Sequence, residues 1–339
     1  MLAVYDDHQI LHRPLTRIGG GTLKPNPEQP ERVSMLLEGL QIFGASVIAP
    51  RDHGMGPIAA THDAGYLDFL ENGFSAWSRI AGNGPEMRAS VHPNIHMNRL
   101  PEDILGRTGY YHADASSVML ADTWSSVRAS ANSALDAMAR LLEGETSIYA
   151  LCRPPGHHAY ADKAGGFCYL NNTAIAANLA AESGRRVAII DVDVHHGNGT
   201  QTLFYARRDI LTLSVHGDPA HLYPFYAGYA DETGQGDGAG LNVNLPVPLM
   251  SGNDVYLDAV QAAVSRARTF APDVVIIALG LDASSEDPFA CMRVNESGFA
   301  RMGRILAALK RPTLIVQEGG YPSPALATSL AAFLTGFSD

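Results

Sequence analysis

Cysteine is scarce in this chain, with three in 339 residues. Cys152, Cys168 and Cys291 are odd in number, sit in or beside apolar stretches, and none has a CxxC partner. That pattern disfavours a disulfide framework and a thiolate-rich structural zinc site, and leaves buried thiols as the expectation. Positive charge is also short: Lys+Arg 24 against Asp+Glu 35 gives a formal net charge of −11. Such a surface repels nucleic acid and anionic lipid, so neither is an expected partner, and a cationic small ligand is weakly favoured. No apolar run reaches the length of a membrane span, and Met1-Leu2-Ala3-Val4-Tyr5-Asp6-Asp7 lacks the basic start and long apolar stretch of a signal peptide. A cytoplasmic protein is expected. Linkers, low-complexity tracts and repeats of fixed period are absent too, and the 33 glycines and 20 prolines are spread along the chain. One domain over residues 1–339 is therefore expected.

What is present is ample apolar material, 46% of residues, enough for a well-buried core. Apolar, β-branched runs recur at Ser147 to Cys152, Val187 to Ile190, Ile210 to Val215, Val274 to Leu279 and Thr313 to Val316. Helical patterns lie among them. Trp124, Val127, Ala131, Leu135, Met138 and Leu142 repeat at three and four residues, with Thr123 as N-cap. Similar patterns run from Val255 to Arg268, Phe299 to Leu309 and Pro324 to Phe337. The alternation predicts an α/β fold, a central mostly parallel sheet flanked by helices. Between about Ser75 and Pro101 the chain turns polar and irregular, a loop excursion of the kind that serves function or an interface.

Four predicted strands end in polar clusters: Arg153-Pro154-Pro155-Gly156-His157-His158, Asp191 to Gly199, Gly280-Leu281-Asp282, and Glu318-Gly319-Gly320-Tyr321. In open α/β sheets the ligand crevice lies beyond the C-terminal ends of the strands, so one site could hold all four. Asp193 and His195, two apart in extended chain, point to the same side and can reach one metal ion. Asp282 from a neighbouring strand can supply a third ligand. An Asp/His/Asp set with room for a further ligand suits catalytic zinc better than a closed structural site.

Around such a centre, His157 and His158 supply a general base and an electrostatic partner, with Pro154-Pro155-Gly156 bending the backbone between strand and pair. Asp191, on the same side of its strand as Asp193, is placed to orient one imidazole, and Asn198 the other. A carboxylate raises imidazole basicity more than an amide does, so the two histidines should titrate differently. Tyr321, after two glycines, can bring a phenol into the crevice as a donor to an oxyanion.

Taken together these motifs resemble the histone deacetylase and acetylpolyamine amidohydrolase family of zinc-dependent deacetylases. The resemblance also includes Pro27-Glu28-Gln29-Pro30-Glu31-Arg32, His62-Asp63-Ala64-Gly65-Tyr66-Leu67, Gly166-Phe167-Cys168-Tyr169-Leu170-Asn171-Asn172 and Asp287-Pro288, so it covers nearly the whole chain in the family's order. It implies an arginase-like α/β fold, one Zn²⁺ per chain on Asp193, His195 and Asp282, His158 as general base and acid, and Tyr321 polarising the amide carbonyl. It implies an acyl tunnel entered past Gly166, with Phe167 as one wall and one of Tyr223, Phe225 or Tyr226 as the other. A structural K⁺ through Asp191, Asp193, His195 and Ser214 is implied as well. Glu318 to Tyr321 and Asn198 look like the polyamine and class II branches. Phe289, just after Asp287-Pro288, stands where a polyamine-selective eukaryotic branch has an acidic residue. Chain length and the excursion near 75–101 resemble the bacterial acetylpolyamine amidohydrolases, which implies a homodimer and a small acylated amine as substrate. An acyl-lysine deacetylase, a hydrolase of another small amide, a two-metal ureohydrolase and a silent acyl-amine binding protein are the alternatives.

Overall fold

The structure, a computed structural model, describes residues 1–339. Its strands are β1 (Leu2–Val4), β2 (Thr16–Gly19), β3 (Thr22–Pro25), β4 (Ser46–Ile48), β5 (Ser147–Ala150), β6 (Val187–Asp191), β7 (Ile210–Gly217), β8 (Asn242–Val247), β9 (Val274–Leu279) and β10 (Thr313–Gln317). Eight of them form one sheet in the order β4-β1-β5-β10-β9-β6-β7-β8, parallel throughout. Both faces are covered. Ala188 and Ile190 enter one core with the helices Glu31–Phe43, Asn253–Phe270, Glu296–Ala307 and Leu326–Ser338. Val187 and Ile189 enter a second with Thr123–Leu142 and Asn172–Glu182. Burial on both faces is why these strands read as continuous apolar runs rather than as alternations.

The five predicted strands are β5, β6, β7, β9 and β10, and four of them, β5-β10-β9-β6, are consecutive neighbours. Their four C-terminal clusters therefore open onto one edge. The strands β1, β4 and β8 escaped the reading, because β1 and β4 have three residues each and β8 is interrupted by Asn242, Asn244 and Pro246. One cap is corrected. Asp122 precedes the helix, and Thr123 is its first residue, with Oγ1 accepting from Leu120 N at 2.8 Å and 3.0 Å from His12 Nδ1.

The excursion is more tied down than its composition suggested. Residues 75–77 complete the helix Ala64–Trp77. Beyond it, Glu86 Oε1 accepts from Leu15 N and Thr16 N at 2.6 and 3.1 Å, and Arg88 Nη2 donates to Thr16 O at 2.8 Å. These bonds hold the β2–β3 hairpin, which is not part of the main sheet, against the body of the protein.

Candidate metal centre and catalytic pocket

Asp191 ends β6, and Asp193 and His195 follow it; Asp282 lies three residues beyond the end of β9, the strand beside β6. Glycines make the convergence possible. A Cβ at Gly280 or Gly319 would collide with Asp193 Oδ2, so the two strand ends can close on that carboxylate only without side chains. Asp193 Oδ1 accepts from His195 N at 2.9 Å and Oδ2 from Gly319 N at 2.7 Å, while Asp282 Oδ1 accepts from Val194 N at 3.1 Å. His195 Nδ1 then stands 3.0 Å from Asp282 Oδ2 and 3.3 Å from Asp193 Oδ1.

Both carboxylates are fully buried, and no Lys or Arg pairs with either. Burial, and Asp193 alongside, push the Asp282 carboxyl above its ordinary range. Two desolvated acids sharing one imidazole are strongly unfavourable without a further cation. One donor atom from each of Asp193, His195 and Asp282 lies within 4.8 Å of the others, a fit to a divalent metal bound through two oxygens and a nitrogen. A second cluster, His157, Cys168 and Glu318, has the spacing but not the chemistry. Burial keeps the Cys168 thiol protonated. The Glu318 carboxylate is already committed, accepting from Gly156 N at 2.6 Å, His157 N at 3.0 Å and Thr173 Oγ1 at 2.7 Å.

That commitment gives Glu318 a role missed in the sequence: it fixes the turn that presents the tandem histidines. His157 Nδ1 lies 2.9 Å from Asp191 Oδ2, and His158 Nδ1 2.6 Å from Asn198 Oδ1. Asn198 Nδ2 donates to Tyr160 Oη at 2.6 Å, which orients the amide with its oxygen toward His158. His158 Nδ1 is then the protonated nitrogen, and Nε2 keeps the lone pair. Burial alone would depress His157, but the carboxylates of Asp191 and Asp193 more than offset it and push the imidazole up to about 10. His158 is buried beside His157 and His195 and falls well below the ordinary imidazole range. The two differ in the expected direction, with the carboxylates raising His157 and burial beside two other imidazoles lowering His158.

The cavity above these groups is about 290 Å³ and is walled by Phe167, Tyr223, Phe225 and Phe289, with His158, His195 and Tyr321 at its lining. Phe167 takes a left-handed φ of 69° after Gly166 at 54°, and a Cβ on Gly166 would strike the His158 ring. One carboxylate ties the two walls together: Asp114 Oδ2 accepts from Tyr223 Oη at 2.6 Å and from Gly166 N at 3.0 Å. Phe225 is half-exposed at the mouth. Tyr226, offered as a wall, is 93% exposed and does not line the cavity. Tyr321 packs edge-on to Phe289 and Phe167, with centroids at 5.1 and 5.8 Å, and burial holds its phenol protonated. Ser214 pairs with Asp191 across β6 and β7, and its Oγ lies 2.8 Å from His216 Nδ1.

Beneath Tyr321 lies a buried ionic cradle that the motif Pro27 to Arg32 announced without explaining. Arg32 Nε donates to Gly320 O at 2.6 Å and Nη1 to Glu28 Oε1 at 3.0 Å, and its guanidinium sits 5.0 Å from the Tyr321 ring centroid. Arg153 Nη2 donates to Glu28 Oε2 at 3.1 Å and to His12 O at 2.6 Å. Glu28 thus joins two buried arginines, Arg32 of the helix Glu31–Phe43, which holds the tyrosine loop, and Arg153, which precedes the histidine turn.

The family model for the histone deacetylase domain matches residues 26–337. An acetylpolyamine amidohydrolase of Burkholderia pseudomallei is 42% identical over 99% of this chain and 98% of its own length. Acetylpolyamine amidohydrolase 1 of Pseudomonas aeruginosa is 41% identical over 99% of each. A crystal structure of acetylpolyamine aminohydrolase from Burkholderia pseudomallei superposes with a TM-score of 0.96 at 42% identity, covering 100% of this chain and 98% of that one. The HDA15 HD domain, at 28% identity, gives 0.81 over 100% of this chain and 91% of its own. With the domain matched over residues 26–337 and relatives at 41–42% identity along nearly the whole chain, the chain belongs to the histone deacetylase family.

Proposed function

We propose that this protein is a metal-dependent amidohydrolase that removes an acetyl or short acyl group from a small N-acylated amine. The names of its relatives make an acetylpolyamine the first substrate to test. The observation that carries the reading is the pairing of a buried Asp193/His195/Asp282 donor set with a neutral His158 facing the same cavity. Two carboxylates and one imidazole would hold Zn²⁺, one per chain. When bound, such an ion supplies Lewis acidity toward a carbonyl oxygen and a water molecule. His158 Nε2 takes a proton from the attacking water and later delivers it to the leaving amine nitrogen. His157, held as a cation by Asp191, stabilises the negative charge that develops as the carbonyl carbon is attacked. The Tyr321 phenol donates to the carbonyl oxygen as that oxygen gains charge. The products are a carboxylate and a free amine.

Three finer assignments accompany the reading. A structural K⁺ through Asp191, Asp193, His195 and Ser214 is favoured by the adjacency of Asp191 and Ser214 on paired strands. A homodimer through the excursion is favoured by its exposed apolar side chains Val91, Ile95, Met97 and Leu100. A cytoplasmic setting suits three free thiols, and no helix is long and apolar enough to cross a membrane. An acyl-lysine deacetylase is the second reading, because the catalytic groups do not dictate the amine half. The test is amine release by zinc-loaded protein from N-acetylputrescine, N-acetylcadaverine, acetylspermidine and an acetyl-lysine peptide. Preference for the small amines supports the proposal; preference for the peptide, or no turnover, overturns it.

A further inference from the structure

The cavity mouth carries a charge that a polyamine does not want. Among the residues lining the cavity there is one guanidinium, Arg17 of β2, and no carboxylate. Its Cζ lies 5.1 Å from the Phe289 ring centroid, and Phe289 is itself 5.7 Å, centroid to centroid, from the ring of the metal-site His195. Arg17 therefore stands one aromatic ring away from the centre where the amide must sit. It has no ion-pair partner, and its Nε is sealed from solvent without a hydrogen bond. The neighbouring Arg88, by contrast, is paired with Glu86 at 3.4 Å. Asp114, which ties the walls together from behind the lining, is occupied by the Tyr223 hydroxyl, Gly166 N and Ser116 N.

The hairpin that delivers Arg17 is not left loose. Glu86 and Arg88 clamp Thr16, the residue before it, and the guanidinium folds over Gly19, where a Cβ would meet Arg17 Nη1 at 2.6 Å. A partly desolvated, unpaired guanidinium held at a fixed place over an apolar tunnel is a receptor for a carboxylate, which it can engage with two parallel N–H donors. It also repels an ammonium brought to the same place, and the low dielectric of the aromatic walls strengthens both effects.

We infer that Arg17 is a specificity-determining residue and that the preferred amine half bears a carboxylate at its far end. The substrate class is then an ω-acylamino carboxylate: the acyl group at the metal centre, the methylenes between Phe167 and Tyr223, and the carboxylate on Arg17. This rests on the amidohydrolase reading and departs from it only in the amine half, where the relatives' names point to a polyamine.

The test uses three compounds of matched length on the metal-loaded full chain: 4-acetamidobutanoate, N-acetylputrescine and the neutral N-pentylacetamide. The wild type should favour the anion over the cation in kcat/KM by about tenfold or more, with the neutral compound between. Arg17→Gln should bring the three together, and Arg17→Glu should reverse the order. A wild type that prefers N-acetylputrescine, with a ratio unchanged in Arg17→Gln, overturns the inference and leaves the amidohydrolase reading intact. Hydrolysis of none of the three fails that reading instead. Calorimetric binding of the same compounds to Tyr321→Phe protein then decides the role of Arg17: tightest binding of the anion, lost with Arg17→Gln, upholds it, and equal binding of all three overturns it.

Discussion

The rings of His157 and His158 lie 4.0 Å apart, centroid to centroid, yet one is backed by a carboxylate and the other by an amide. Adjacent in sequence and alike in chemistry, they are pushed in opposite directions: the carboxylates of Asp191 and Asp193 raise His157, while burial and the neighbouring His157 and His195 lower His158. The effect on stability has a definite sign. His157 is raised from 6.5 to about 10 in the folded chain, so its pairing with Asp191 stabilises fully below 6.5 and is lost as pH rises toward 10. In metal-replete protein Asp191→Asn should cost about 3–5 kcal/mol near pH 6, with the gap to wild type narrowing by pH 10. Urea unfolding across that range measures it; a gap that widens with pH contradicts the assignment.

Tyr321→Phe removes one buried donor and little volume. Turnover should fall by about 10²–10³ with metal content unchanged. Near-normal turnover in a metal-replete variant would rule out the oxyanion role.

Chelation should abolish activity and lower the melting temperature together, because Asp193 and Asp282 are then left buried side by side with only the imidazoles of His195 and, for Asp193 at 3.9 Å, His157 as possible cations. Asp282→Asn should retain less than one metal per chain by elemental analysis. Full metal content in that variant would remove Asp282 from the ligand set.

Glu28→Gln leaves Arg32 and Arg153 buried without their shared carboxylate. The expected loss is about 3–5 kcal/mol of stability, since an uncompensated buried charge remains. Because Arg32 also holds Gly320 O, turnover of the folded variant should fall more than its metal content does.

Glu86→Ala deletes the acceptor for Leu15 N, Thr16 N and Thr16 Oγ1. The hairpin should loosen at the mouth, raising KM and relaxing discrimination between charged and neutral amides while kcat changes little. Deleting residues 83–96 should go further and give monomers by light scattering. A deletion that stays dimeric would move the interface elsewhere.

Periodicity and strand-end chemistry carried most of the fold and pointed to the residues that the fold gathers into the candidate metal site. Each apolar run long enough to be buried on both faces was visible, and so were the acids and histidines beyond its end. Short strands such as β1 and β4 left no such trace, since three residues cannot display a period. Glu318 was visible as a motif letter but not as a function, because its three donors come from Gly156, His157 and Thr173, about 145–162 positions away. Tyr226 could not be separated from Tyr223 along the chain. Only the turn of the backbone, with Phe225 at φ 63°, decides which side chain faces the tunnel and which faces water.

By itself the sequence determined which atoms were available: an Asp-x-Asp-x-His run after a buried strand, tandem histidines after a Pro-Pro-Gly bend, and a tyrosine after two glycines. Local spacing and side-chain chemistry suffice for that. The tertiary structure alone decided their order in space. It placed β5, β10, β9 and β6 side by side, gave a carboxylate to one imidazole and an amide to the other, and brought Arg17 from an N-terminal hairpin onto Phe289. Proton affinity and charge selectivity depend on distances of a few ångströms between residues remote in the chain, and those distances exist only after folding.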